Sequence, residues 1–322
     1  MVCAVTALDL NVRWYAGVRP GRRNEAPPIQ VHHAATNTVL LRQNITNNFE
    51  APFLYLLFGD ERALLLDTGA TGDPARFPLR ETVDMLMAGW LRGHPREAYE
   101  LVVAHSHAHG DHVAADGQFS GRPDTLVVGH STEEVAAFFR LDWPRGTARF
   151  DLGGRVLEVI PTPGHHPSAV AFYDRDTGIL LTGDTVYPGR LYVQDFPVFE
   201  RSLQVLCDFA AARPVTAVLG AHIEMPSRPF RDFPLGSTFH PDESPLPMTA
   251  GDLKAIRDAA ARVAGRPGAH RFANFIIWNG ACRRESVAQS LRLLLNRVYT
   301  RVYAPELNPG SGSSGSRRAE RP

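Results

Sequence analysis

The chain is short of several things that would each have pointed to a function. Lys254 is its only lysine, although 34 residues are basic. Basic and acidic residues balance, 34 against 34. Bulk charge therefore gives no reason to expect a nucleic-acid or membrane partner. Three cysteines, Cys3, Cys207 and Cys282, are odd in number and far apart. That argues against a disulfide framework or a cysteine-type zinc site and fits a reducing compartment such as the cytoplasm. No apolar run approaches the ~20 residues needed to cross a bilayer. The start, MVCAVTALDLNVRWYAG, lacks the charged beginning and long apolar run of a secretory signal. What remains is a globular composition, 44% hydrophobic over 322 residues, enough for one large domain or two ordinary ones.

Punctuation along the chain gives the organisation. Residues 1–28 read as an irregular N-terminal arm, exposed through GVRPGRRNEAPP. Residues 29–305 read as one domain, with a core over 29–226 and a C-terminal extension over 227–305; residues 306–322 form a flexible tail. TNTVLLRQ, APFLYLLFG, RALLLDTG, YELVVAHS and TLVVGH have strand character. RVLEVIPTPG, SAVAFYD, GILLTGD and VTAVLGAH follow in the second half, with DRDTG as a hairpin turn. LRETVDMLMAGWLRG, TEEVAAFFRL and FERSLQVLCDFAAAR carry helical spacing. MTAGDLKAIRDAAARVAG is a further helix with Thr249 as N-cap, and Ser131 or Thr132 caps the helix before it. RFANFIIWN reads as a late strand and ESVAQSLRLLLNRVYTRVY as a final helix. The proline-rich stretch 227–247 reads as a surface excursion. Strands followed by helices, twice over, imply a layered α/β domain.

HSHAHGDH, residues 105–112, puts four histidines and an aspartate into eight positions. Such density asks for a ligand that wants nitrogen and oxygen donors. Four other apolar strands run into a polar residue: Asp67, His165, Asp184 and His222. Strand ends on one edge of a sheet converge in space, where α/β folds build ligand sites. His107, His109, Asp111, His112, His165, Asp184 and His222 together suit two divalent cations. Taken singly, His165, Asp184 and His222 are better explained as hydrogen-bonded strand ends; with the cluster the ligand reading is favoured. Tyr187 and, less directly, Tyr192 could meet a substrate oxyanion or a leaving group. Glu224 reads as an ordinary salt link, and Phe196 and Phe199 as pocket wall or core.

His107-Ala-His109-Gly-Asp111-His112 resembles the H-x-H-x-D-H signature of the metallo-β-lactamase superfamily. LLLDTGA at Asp67, TPGHHPS at His165, TGDTVY at Asp184 and GAHIE at His222 match its other motifs in order, over roughly residues 30 to 225. The resemblance implies a four-layer αββα sandwich with the metals at one edge of the two sheets. It implies that His107, His109 and His165 bind one metal, that Asp111, His112 and His222 bind the other, and that Asp184 bridges them. Asp67 is implied to order the binding loop. His105 has no part in the pattern, and His166 stands one position from the implied ligand His165. The implied chemistry is a dinuclear hydrolase that uses a metal-bridging hydroxide on an ester, thioester or lactone, with Asp111, Asp184 and Tyr187 as catalytic candidates. Its metals would be zinc, with iron or manganese as alternatives. A phosphodiesterase of the same fold, or a mononuclear-iron oxidoreductase resembling persulfide dioxygenases, is the alternative reading. A small-molecule substrate is expected; the oligomeric state is not fixed by the sequence.

Overall fold

The structure is a computed structural model that describes residues 5–19 and 22–280. Its first sheet has six strands in chain order. They are β1 (Ile29–Ala35), β2 (Thr38–Gln43), β3 (Phe53–Phe58), β4 (Arg62–Leu66), β5 (Glu100–Ala104) and β6 (Thr125–Val127). The first four are antiparallel neighbours; β4, β5 and β6 run parallel. A parallel pair needs a crossover, and α1 (Leu79–Gly93) supplies it between β4 and β5. After β5 come the single turn α2 (Gly110–Val113) and a 3-10 turn over Asp116–Gln118. Following β6 is α3 (Thr132–Phe139), closed by a capping box between Ser131 and Glu134.

The second sheet holds β7 (Ala148–Asp151), β8 (Val156–Pro161), β9 (Val170–Asp174), β10 (Ile179–Gly183) and β12 (Ala217–Gly220), in the order β12-β10-β9-β8-β7. The helix α4 (Phe196–Ala211) is the crossover that makes β10 and β12 parallel. Between them lies β11 (Arg190–Val193), which pairs in a small third sheet with β14 (Ile276–Asn279), itself flanked by β13 (Gly268–Arg271). Before β13 runs α5 (Ala250–Val263), capped by Thr249 and Asp252.

Alternation decides the layers, because successive strand residues face opposite sides. Leu57, Leu64 and Val102 of the first sheet meet Leu157, Phe172, Leu181 and Leu219 of the second in one buried cluster. Their neighbours Leu56, Leu65 and Val103 face outward onto Leu79, Val83 and Met87 of α1. On the other side Tyr173, Leu180 and Val218 face Leu203 and Leu206 of α4 and Leu253 and Ile256 of α5. This is a mixed α/β sandwich of the αββα kind. The strands β2, β3, β9 and β10 are buried along their whole length because both faces are covered.

Residues after 226 pack against the core: α5 shares the cluster of α4, and Val218 of β12 exchanges backbone hydrogen bonds with Met248. The structure departs from the sequence reading in three ways. The stretch 227–247 is not simply a surface excursion, since a buried ion pair links Arg42 to Glu243 and a part-buried one links Arg190 to Asp232. The arm is irregular, yet Trp14 is buried and packs edge-on against Phe53. Four strands, β1, β7, β11 and β13, were not individually expected. The expected final helix and tail lie outside the described residues.

Candidate metal centre

The seven donors lie in the segments that follow four strands, and the two sheets bring these strand ends to one edge. His107 and His109 follow β5, with His109 the residue before α2. Asp111 and His112 lie inside that short helix. His165 follows β8, Asp184 follows β10 and His222 follows β12. Two close approaches need glycine. Gly164 has φ +133°, and a Cβ there would stand 2.4 Å from the Phe199 Cα. Gly183 has φ +51°, and its Cβ would meet the Ser106 Cβ at 2.6 Å. Both tight passages deliver the ligand candidate that follows them.

The donors fall into two groups. In the first, the His107 Nε2 lies 2.9 Å from the His109 Nδ1 and 3.2 Å from the His165 Nε2. The last two nitrogens are 3.0 Å apart. Three imidazole nitrogens aimed at one point cannot all be satisfied by protons; a cation satisfies them together. Burial, followed by the neighbouring His112, holds His107 well below the usual histidine range. Burial, then His165, lowers His109 as well. Neutral imidazole is the ligating form.

In the second group, the His222 Nε2 lies 3.4 Å from both the Asp111 Oδ2 and the Asp184 Oδ1. The His112 Nε2 is 3.6 Å from the same two oxygens. Donors roughly 2.0–2.1 Å from a tetrahedral ion stand about 3.3–3.4 Å apart, so these spacings fit. Asp184 belongs to both groups, because its Oδ2 is 3.6 Å from the His165 Nε2. The Asp184 Oδ1 is buried and has no hydrogen-bond partner among the described residues, a cost that a cation removes. Burial alone would raise the Asp184 carboxyl, but His222 and His112 outweigh it and hold it well below the carboxylate range. Against its own burial, Asp184 and Asp111 push His222 up to about 10. The second group is thus a place where positive charge is stabilised.

Hydrogen bonds on the far nitrogens aim these rings, as in built metal sites. The His165 Nδ1 donates to the Tyr192 carbonyl at 2.7 Å, and the His222 Nδ1 to the Glu50 carbonyl at 2.9 Å. The His112 Nδ1 is 2.9 Å from the Asp67 Oδ2. Asp67, at φ 68°, also accepts from the Ser106 backbone nitrogen at 2.7 Å and the Ser106 hydroxyl at 2.9 Å. His166 lies outside the groups, with its Nδ1 3.0 Å from the Ser168 hydroxyl.

Tyr187 is placed otherwise than its spacing from Asp184 suggested. Its ring packs near His222, but its hydroxyl donates to the Arg190 carbonyl and lies 3.2 Å from a Glu224 oxygen. The bend at TVYPG turns it away from the donors. Glu224 forms the expected salt link, 2.7 Å from Arg190, and Phe199 is core. Two participants were not read from the sequence. Ser106 stands between two histidines with no motif of its own, yet it bonds Asp67. Glu50 sits in a loop without a motif; burial, with Asp111, Glu224 and Asp184 nearby, pushes its carboxyl up to about 7.

Comparison with known proteins places this geometry in a family. A hydroxyacylglutathione hydrolase of Rhizobium meliloti is 29% identical over 147 residues, which cover 43% of this chain and 54% of that protein. An acyl-coenzyme A thioesterase of Homo sapiens is 28% identical over 177 residues, covering 43% of this chain and 59% of the relative. The chain thus spans a little over half the length of these curated relatives. A solved metallo-beta-lactamase from Pontibacter korlensis is 21% identical, with TM-score 0.43, covering 60% of this chain and 91% of its own. No described helix is long and apolar enough to cross a membrane. The metallo-beta-lactamase superfamily pattern matches residues 48–222, over half the chain and a span that holds all seven donors, and the chain belongs to that superfamily.

Proposed function

We propose that the protein is a dinuclear metal-dependent hydrolase of small thioesters, esters or lactones. The observation that carries this is Asp184, whose two oxygens face the two donor groups separately. When bound, two divalent cations, zinc by the donor chemistry, supply an activated water at neutral pH and an acid for the substrate oxygen. In this reading His107, His109 and His165 hold one cation, Asp111, His112 and His222 the other, and Asp184 both. His109 and Asp111 are half-buried while the other five are buried, so substrate approaches across His109 and Asp111. Tyr192 and Glu50 act through their backbone carbonyls, fixing the rings of His165 and His222. Tyr187 holds Glu224 and Arg190 behind the site. The thioester emphasis is supported by the two relatives named above, a hydroxyacylglutathione hydrolase and an acyl-coenzyme A thioesterase.

The test is elemental analysis of protein purified without added metal, then turnover of a panel of thioesters, esters, lactones and phosphodiesters. Two metal equivalents and thioester or ester turnover are expected. Replacing Asp184 with Asn is expected to lower kcat/KM at least a hundredfold, about 2.7 kcal/mol of transition-state stabilisation. Full activity in that variant sinks the reading. So does a single iron with oxygen consumption, or turnover confined to phosphodiesters.

A further inference from the structure

Outside the paired groups stands a third cluster. His105, Asp116 and His130 each bring one donor atom, all within 4.8 Å of one another. They share no residue with the seven donors described above. His105 is buried at the end of β5, Asp116 opens the 3-10 turn, and His130 precedes the cap of α3. The His105 Nε2 lies 2.9 Å from the Asp116 Oδ1, and the His130 Nε2 2.7 Å from the Asp116 Oδ2. We propose that His105, Asp116 and His130 form a third site for a divalent transition metal, separate from the paired centre.

Three observations support it. Two imidazoles and a carboxylate are a donor set for zinc, cobalt or nickel rather than for calcium or magnesium. The carboxylate is held by a further group, since the Thr68 hydroxyl donates to the Asp116 Oδ1 at 2.7 Å; ligating carboxylates are oriented in this way. The His105 and His130 rings stand at 88° with centroids 4.8 Å apart, which brings their nitrogens to the carboxylate from different directions instead of stacking them.

Metal-free, the cluster is stable as two N–H···O hydrogen bonds. An ion about 2.0–2.1 Å from each donor would open those contacts of 2.9 and 2.7 Å by about half an ångström. His130 can provide that movement, because its side chain is 41% exposed and precedes a helix instead of lying within one. The same exposure gives the ion an entry path and leaves room for water to complete its coordination. Bound there, the ion would tie the end of β5 to the turn before α3. Through Thr68, whose hydroxyl lies 3.2 Å from the His112 carbonyl, it would brace the loop that presents the second donor group.

The experiment compares full-length wild type with His130→Ala and Asp116→Asn. Each is stripped with a chelator, equilibrated with zinc or cobalt at micromolar free metal, dialysed and assayed for metal per chain. Wild type is expected to hold one equivalent more than either variant, and its thermal midpoint to rise further on metal addition. This readout is a difference between chains, so it holds whatever the paired groups bind. His107→Ala is the complement: it should keep the equivalent that His130→Ala loses. Circular dichroism on His130→Ala, which removes a partly exposed ring, verifies folding. Equal metal content in wild type and His130→Ala overturns the proposal. So does loss of the paired metals together with the third.

Discussion

At the scale of single residues the centre depends on side chains that touch no ligand. Asp67 accepts three hydrogen bonds at once, from the Ser106 nitrogen, the Ser106 hydroxyl and the His112 ring. It does so from a left-handed backbone conformation, φ 68°, which aspartate tolerates better than most residues. Asp67→Asn keeps the volume but turns one acceptor into a donor that faces other donors. Metal affinity is expected to fall 10- to 100-fold, the usual cost of losing an outer partner of a ligating histidine. Competition with a chromogenic chelator measures it, and unaltered affinity would show that Asp67 is only a turn former. Asp67 was legible because an apolar strand ends on it. Ser106 was not, since nothing in H-S-H marks the serine as more than a spacer. Tyr187 shows a related limit: nearness in sequence to Asp184 says nothing about a bend that sends the hydroxyl to Arg190 and Glu224.

At the scale of elements, what sequence conveys is length and capping. The long apolar strands and the capped helices announced themselves. The four missed strands did not, because their order comes from partners. In β1, His32 and His33 interrupt the apolar run, and its place at the sheet edge needs only one paired side. Four-residue β11 becomes a strand by pairing with β14, far away in the chain. The proline-rich stretch was misjudged likewise, since its anchors lie on other elements. There Glu243 makes a two-pronged contact with Arg42 of β2, at 2.6 and 2.7 Å, with both side chains under a tenth exposed. Burial alone would raise the Glu243 carboxyl, but Arg42 prevails and holds it below its ordinary value of 4.5. Its stabilisation is therefore fully present above pH 4.5 and is lost as pH falls through the lowered folded value. His240 beside it is held low chiefly by burial, so protonation there also favours the unfolded chain as pH drops. Glu243→Gln leaves Arg42 buried without its anion, and about 3 kcal/mol of stability at pH 7 is expected to be lost. The gap to wild type should close as the solution is acidified below pH 4.5. Denaturant unfolding of both proteins at several pH values tests this; a gap independent of pH would assign the effect to packing.

At the scale of the whole molecule the open matter is where the folding unit ends. All seven donors precede residue 223, and the superfamily pattern stops at 222, so the motifs themselves say nothing of what the residues beyond contribute. Packing gives the answer. Leu253, Ile256 and Val263 of α5 are buried against the same cluster as Leu203 and Leu206 of α4. Burying three such side chains contributes about 1.5–3 kcal/mol each, and their sum approaches the roughly 5–15 kcal/mol by which a domain is stable at all. A chain ending at 226 would keep every donor yet expose the apolar face of α4 and leave β11 without β14. Such a chain is expected to lose its near-UV circular dichroism, to unfold without cooperativity and to bind a hydrophobic dye. Cooperative unfolding of the shortened chain, with near-wild-type denaturant dependence, would instead mean that α5 is an accessory. The physical reason to expect the first outcome is that the donors converge only while β10 and β12 hold their places. Those strands are covered on one side by the first sheet and on the other by α4 and α5 together.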